Sequence, residues 1–78
     1  MSKYNRFIFG FFNYLRTQSE YIRTGQSLMI YLSDFDIEEY KKVSSIHYYN
    51  EDNIDCFYLD SIIPNTLEHL QKVWKDQY

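Results

Sequence analysis

Large rings have to fill the core of this chain, because its 78 residues include nine Tyr, six Phe and one Trp but no alanine. Aromatic side chains bury roughly 150 to 250 Å² each, so a few of them suffice for a short chain, and Tyr keeps a hydroxyl for the edge. Their spacing says how they are carried. Tyr4, Phe7, Ile8, Phe11, Phe12, Leu15 and Ile22 recur at three- and four-residue steps and form one apolar stripe, which predicts a first helix ending in a break near Arg23, Thr24 and Gly25. Gly10 lies inside that helix, where it costs about 1 kcal/mol relative to Ala, and so implies that another helix passes close by.

Leu28, Leu32 and Phe35, with Met29 and Tyr31 beside them, predict a second, largely buried helix over residues 26–35. Asp36 then reads as an N-cap, Glu39 completes a capping box, and Phe35 and Tyr40 stand where a hydrophobic staple would close around it. That places a third helix from residue 37 to about 43. Residues 44–63 mix turn formers with Tyr48, Tyr49, Phe57, Tyr58 and Leu59, and are expected to form an ordered loop with a helical turn, since a lone hairpin is marginal in water. Pro64 suits a first turn, and Asn65 with Glu68 makes a second capping-box candidate, so a last helix is expected to begin between residues 63 and 66 with Leu67, Leu70, Val73 and Trp74 as its buried stripe. The expected architecture is a single all-α domain, residues 1–78, of about four short helices with an aromatic and acidic loop before the last one.

A chain of this length makes one domain and buries roughly 60% of the surface its unfolded form exposes, enough for a small core and too little for a deep enclosed cleft. Little stability is left over for a strained or desolvated reaction centre. Cys56 is the only cysteine, which rules out an internal disulfide and favours a reducing, cytoplasmic compartment. The apolar run over residues 7–12 is far short of the roughly 20 residues that span a bilayer, and no signal-peptide cleavage pattern follows it.

Charge is unevenly spread. Residues 1–26 carry Lys3, Arg6, Arg16 and Arg23 against Glu20, whereas Asp34, Asp36, Glu38, Glu39, Glu51, Asp52, Asp55 and Asp60 crowd residues 34–60 against Lys41 and Lys42. Such asymmetry means either that the two halves pair internally or that one acidic face meets a basic partner. In the second case the face comprises Asp36, Glu38, Glu39, Tyr48, Tyr49, Glu51, Asp52, Asp55, Tyr58 and Asp60, with complementary fields speeding encounter. A more specific version has these carboxylates imitating a phosphate backbone, as in an anti-defence inhibitor that mimics DNA. Leftover rings on so small a body also make a homo-oligomer an expectation.

Other chemistry finds little footing. A metal or a nucleophile would have to be assembled from His47 and Cys56 with Asp52 and Asp55, and neither paired ligand spacing nor an electropositive thiol environment is present. The glycines are isolated, so no phosphate cradle exists. A pI near 5.2 argues against direct nucleic-acid binding, leaving Arg6, Arg16 and Arg23 as solvated or internally paired cations. The expectation is a non-enzymatic protein without cofactor, metal or membrane contact.

From Arg23 the chain reads R-T-G-Q-S-L-x-x-x-L, from Ile37 I-E-E-Y-K-K-V, and from Asp55 D-C-F-Y-L-D-S-I-I-P-N-T-L-E-H-L, followed by Trp74. This resembles short uncharacterised phage and prophage proteins that carry R-x-G-Q-A-L-x-N-x-L, a short helix ending in I-x-G-T, and D-P-F-Y-x-D-x-x-I-P-x-F-L. Arg23, Gly25, Gln26, Leu28, Leu32, Tyr40, Asp55, Phe57, Tyr58, Asp60, Ile63, Pro64 and Leu67 carry the likeness, over about two thirds of the chain. Cys56 stands where the pattern has Pro, Ile30 where it has Asn, and Ser44 and Ser45 near its Gly-Thr. The resemblance implies a viral or mobile-element origin and supplies no mechanism; the expected role is to attach to a host or viral protein through the acidic face. Physically, Gly25 is expected to allow a tight inter-helix turn, Phe57 and Tyr58 to pin the loop, and Asp55 and Asp60 to accept hydrogen bonds from backbone amides or Arg23.

Overall fold

Ser2 starts the first helix by accepting the Asn5 N–H at 3.1 Å on its hydroxyl, one of the otherwise unsatisfied donors of a helix N-terminus. In the computed structural model, which describes residues 1–44 and 53–78, α1 runs Lys3–Leu15, α2 Thr24–Phe35, α3 Ile37–Ser44 and α4 Ile63–Val73, with a single 3₁₀ turn, Asp60–Ile62, leading into α4. The described residues contain no strand, and the fold is all-α as the spacing predicts. Tyr48, Tyr49, Glu51 and Asp52 lie outside them, as does His47.

α1 stops eight residues before the predicted break. The Thr17 hydroxyl donates to the Tyr14 carbonyl at 2.8 Å, and the Thr17 and Gln18 amides turn back to Tyr14 and Leu15 in three-residue steps. Those bonds tighten the last turn and end the helix. Ile22 therefore lies beyond α1, and Phe12 faces outward at 59% exposure instead of joining the buried stripe.

Phe7 is the centre of the core. It is fully buried, and its ring lies 5.3 Å from those of Tyr31, Phe35 and Trp74, the latter two edge-on, with Phe11 stacked at 6.2 Å. Offset and edge-to-face pairs of this kind contribute about 0.5 to 1.5 kcal/mol each beyond their area. Leu28, Met29 and Leu32 of α2, Val43 of α3, and Leu70 of α4 complete the cluster. Gly10 serves the close approach expected of it: a Cβ there would overlap the Tyr31 hydroxyl of α2 and stand 3.1 Å from the ring's Cζ. The Ser27 hydroxyl, fully buried on α2, has no hydrogen-bond partner among the described residues, and nothing around it explains why.

α4 differs in detail from its predicted form. It begins at Ile63 with Pro64 in its first turn, which puts Asn65 inside the helix, so no capping box forms; Glu68 instead pairs with Lys72 at 3.2 Å. Its buried side is Thr66, Leu70 and Trp74, while Val73 is 38% exposed. The two ends of the described chain meet, as the Lys3 amide donates to the Gln77 carbonyl at 2.9 Å and the Arg6 guanidinium to the Tyr78 carbonyl.

Candidate functional site

Before α4 the chain is held by a series of short-range bonds. The Asn53 side chain accepts the Asp55 N–H and the Asp55 side chain accepts the Phe57 N–H, each at 2.9 Å. Such Asx turns stand in for backbone hydrogen bonding where neither helix nor sheet supplies it. Thr66, fully buried on α4, donates its hydroxyl to the Ile54 carbonyl and also lies 3.2 Å from that of Ile62.

This segment then caps α2. Arg23, in the N-cap position, supplies no side-chain cap; instead the Asp60 carboxylate accepts the Gly25 N–H at 2.9 Å from 35 residues away, a negative charge at the positive end of the helix dipole. Arg23 donates to the Phe57 carbonyl at 2.6 Å and lies 3.4 Å from the same Asp60 carboxylate. Asp60 and Asp55 thus accept the backbone amides and the arginine that the sequence pattern assigns to them. Gly25 departs from its expected role. It sits within the first turn of α2 with no positive φ, and it must be glycine because a Cβ would run into the Cys56 carbonyl and would itself stand 2.8 Å from Asp60 Oδ1.

Two other predicted binding residues are engaged inside the fold. Asp36 Oδ1 accepts the Glu39 N–H at 3.1 Å, as an N-cap should, while Oδ2 holds Lys3 Nζ at 2.7 Å and so ties α1 to the corner between α2 and α3. Glu39 is buried and reaches His69 Nε2 on α4 at 2.9 Å, not the Asp36 amide, which donates to the Leu32 carbonyl. The capping box is therefore half made. The first alternative for the charge asymmetry is realised at two points, since Lys3–Asp36 and Arg23–Asp60 pair the basic half with the acidic one.

Burial pushes the Asp36 carboxyl up, but the hydrogen bonds from Lys3 and the Glu39 and Glu38 amides, with the Lys3 charge, outweigh it and hold the group below its ordinary 3.8. A carboxyl lowered on folding stabilises the fold fully above its unfolded pKa, and that contribution disappears as pH falls through the lower folded value. Asp36→Asn keeps the cap acceptor and loses the ion pair. We expect it to cost about 1 to 2 kcal/mol at pH 7, with the gap to wild type closing below about pH 4, in urea unfolding followed across that range.

The remaining predicted residues mark a surface. Asp55 and Tyr58 come together with Met29, Tyr40 and Phe57 around a half-open cleft of about 160 Å³ between α2, α3 and the segment before the 3₁₀ turn. Tyr58 is 64% exposed and packs edge-on against Phe57 with centroids 4.8 Å apart. Glu38 lies exposed on α3, 4.0 Å from Lys41. Sequence reading placed Met29 in the second helix, Tyr40 in a staple and Phe57 in the loop, without a signal that joins them, because the three come from separate elements. On the outer side of α1, Phe9 and Phe12 are 65% and 59% exposed, the leftover apolar surface that a ring-rich composition implies.

Cys56 is a buried thiol packed against α2. Its Sγ donates to the Gly25 carbonyl at 3.4 Å, and burial, with the nearby Asp55 and Asp60 charges, pushes the thiol up to about 11. Among the described residues no helix is long and apolar enough to cross a membrane. Comparison with protein-family models, with curated proteins and with solved structures finds no match.

Proposed function

We propose that the protein acts by binding another protein, of host or viral origin, through the acidic, tyrosine-bearing face around Asp55 and Tyr58, in the cytoplasm of a phage-infected or prophage-carrying bacterium. The observation that carries this reading is the cleft itself: an acid and three rings surround it over the buried Met29. Asp36, Glu39 and Asp60, by contrast, are spent on the interior and on α2. Exposed aromatics beside charge are the usual anchors of a protein interface, where a single Tyr often accounts for tenfold or more in affinity. The DNA-mimic alternative asks for regularly spaced outward carboxylates, and the internal pairing of Asp36, Glu39 and Asp60 leaves it with less support.

The test is affinity capture from the native host with wild type and with the Asp55→Asn/Tyr58→Ser double variant, each checked for native helicity. The expected result is a partner with a basic surface whose affinity drops by about tenfold or more in the double variant and falls with rising salt. A partner bound equally by both proteins would reject this face.

A further inference from the structure

We propose that the cleft lined by Met29, Tyr40, Asp55, Phe57 and Tyr58 receives the side chain of one lysine of the partner protein; this rests on the binding role proposed above and names what that surface recognises. The cleft, about 160 Å³ and half-open, is large enough for a lysine side chain to enter. The lysine's methylene stem suits the Met29 thioether and the ring edges, and an ammonium group is attracted to the faces of aromatic rings, an effect that strengthens as water is excluded. Asp55 supplies the carboxylate. Phe57 N–H occupies its Oδ1, which fixes the side chain's orientation within the Asx turn.

The same features disfavour other occupants. An anion would meet the Asp55 charge, and a neutral apolar side chain would strip water from that carboxylate without replacing its hydrogen bonds. Arginine is best held by a carboxylate with both oxygens open to its planar fork, and at Asp55 one of the two already accepts the Phe57 N–H. The field agrees in sign: the chain carries a formal charge of −3, and its acids gather in the half of the sequence that contributes Asp55 and Tyr58.

The experiment is a chemical-shift titration of the full chain with three probes: Nα-acetyl-lysine methylamide, the arginine analogue, and the norleucine analogue, which matches lysine in its carbon chain but lacks the ammonium. The lysine probe is expected to shift the Met29 methyl and Phe57 amide signals saturably, with norleucine weaker by about fivefold or more. Asp55→Asn can still accept the Phe57 N–H. It should weaken lysine by a similar factor and leave norleucine unchanged. Equal shifts from lysine and norleucine, tighter binding of the arginine probe, an unaltered lysine titration in Asp55→Asn, or no saturable shift at the cleft would each overturn the proposal, and three of these four outcomes need no variant. If the captured partner responds to the double variant while the lysine probe leaves the cleft unmoved, the binding face stands and its lysine specificity falls. If the probe binds as expected while the captured partner ignores the double variant, the lysine-accepting cleft stands as a property of the protein but the partner is held elsewhere.

Discussion

Gly25→Ala should be the most damaging single methyl group that can be added to this protein. The new Cβ would collide with the Cys56 carbonyl oxygen and stand 3.2 Å from its carbon, and both are backbone atoms that no rotamer change can move aside. Relief requires the segment around Cys56 to lift off α2, breaking the hydrogen bond from Gly25 to Asp60 and exposing a thiol that is fully buried in the native fold. Overpacking costs about 1 to 3 kcal/mol and a lost N-terminal cap about 1 more, against about 1 kcal/mol gained from replacing a helical glycine. The net loss is about 1 to 3 kcal/mol, or roughly 5 to 20 °C of melting temperature for a domain of this size. Thiol chemistry reports the same event locally. Cys56 is buried and its thiol is held protonated, so Ellman's reagent should react slowly with wild type and at least about tenfold faster with the variant, since the thiolate is the reacting form. A variant as stable and as unreactive as wild type would mean that the segment can retreat without loss, and that Gly25 is not the point of closest approach between α2 and the loop.

Gly10→Ala, the second large effect, tests the contact between α1 and α2. Here the obstacle is the Tyr31 hydroxyl, the far end of a side chain, but its ring is flanked by those of Phe7, Phe11, Tyr14 and Phe35 at centroid distances of 5.3 to 6.0 Å and has little room to swing. The expected loss is about 1 to 2 kcal/mol, because overpacking outweighs the improved helix propensity. Removing the hydroxyl reverses the sign. In a Tyr31→Phe background the nearest atom is the ring Cζ at 3.1 Å, which needs only a few tenths of an ångström of give. Gly10→Ala should then be neutral, or stabilising by up to about 1 kcal/mol. A double-mutant cycle in urea should return a coupling of about 1 to 2 kcal/mol, and additive effects would refute the contact.

Much of the helical layout was legible from local rules. Phe7 and Phe11, four residues apart, put two rings on one side of α1, and Leu28 and Leu32 do the same for α2; a 3.6-residue period needs no tertiary information. Asp36 was recognisable as a cap because capping is a bond between residues three apart. Gly10 was legible too, since a glycine within a helix implies a neighbour that needs the space. The errors have two causes, a local bond that the apolar stripe does not report and a tertiary contact that no local rule reaches. The end of α1 depends on the Thr17 hydroxyl and not on the apolar stripe, and Glu39 abandons the capping box because His69 offers it a buried partner from another helix. The candidate site was legible only in part. Asp55 and Tyr58 stood out as an acid and an exposed ring type in an acidic stretch, whereas Met29 and Tyr40 could not be joined to them, since their separations along the chain follow no helical or strand period.

The amino-acid sequence by itself determined that this is a small all-α domain built around aromatic rings, because periodicity, capping and the size of the side chains act within a few residues of one another. Which acids are drawn into the fold was decided only by the tertiary structure. Asp60 is drawn to the amide of Gly25, which has no side-chain cap of its own, Asp36 to Lys3 and Glu39 to His69, pairs that only the packing of separate elements brings together. Asp55, held by its own turn beside Tyr58, is left at the mouth of the cleft.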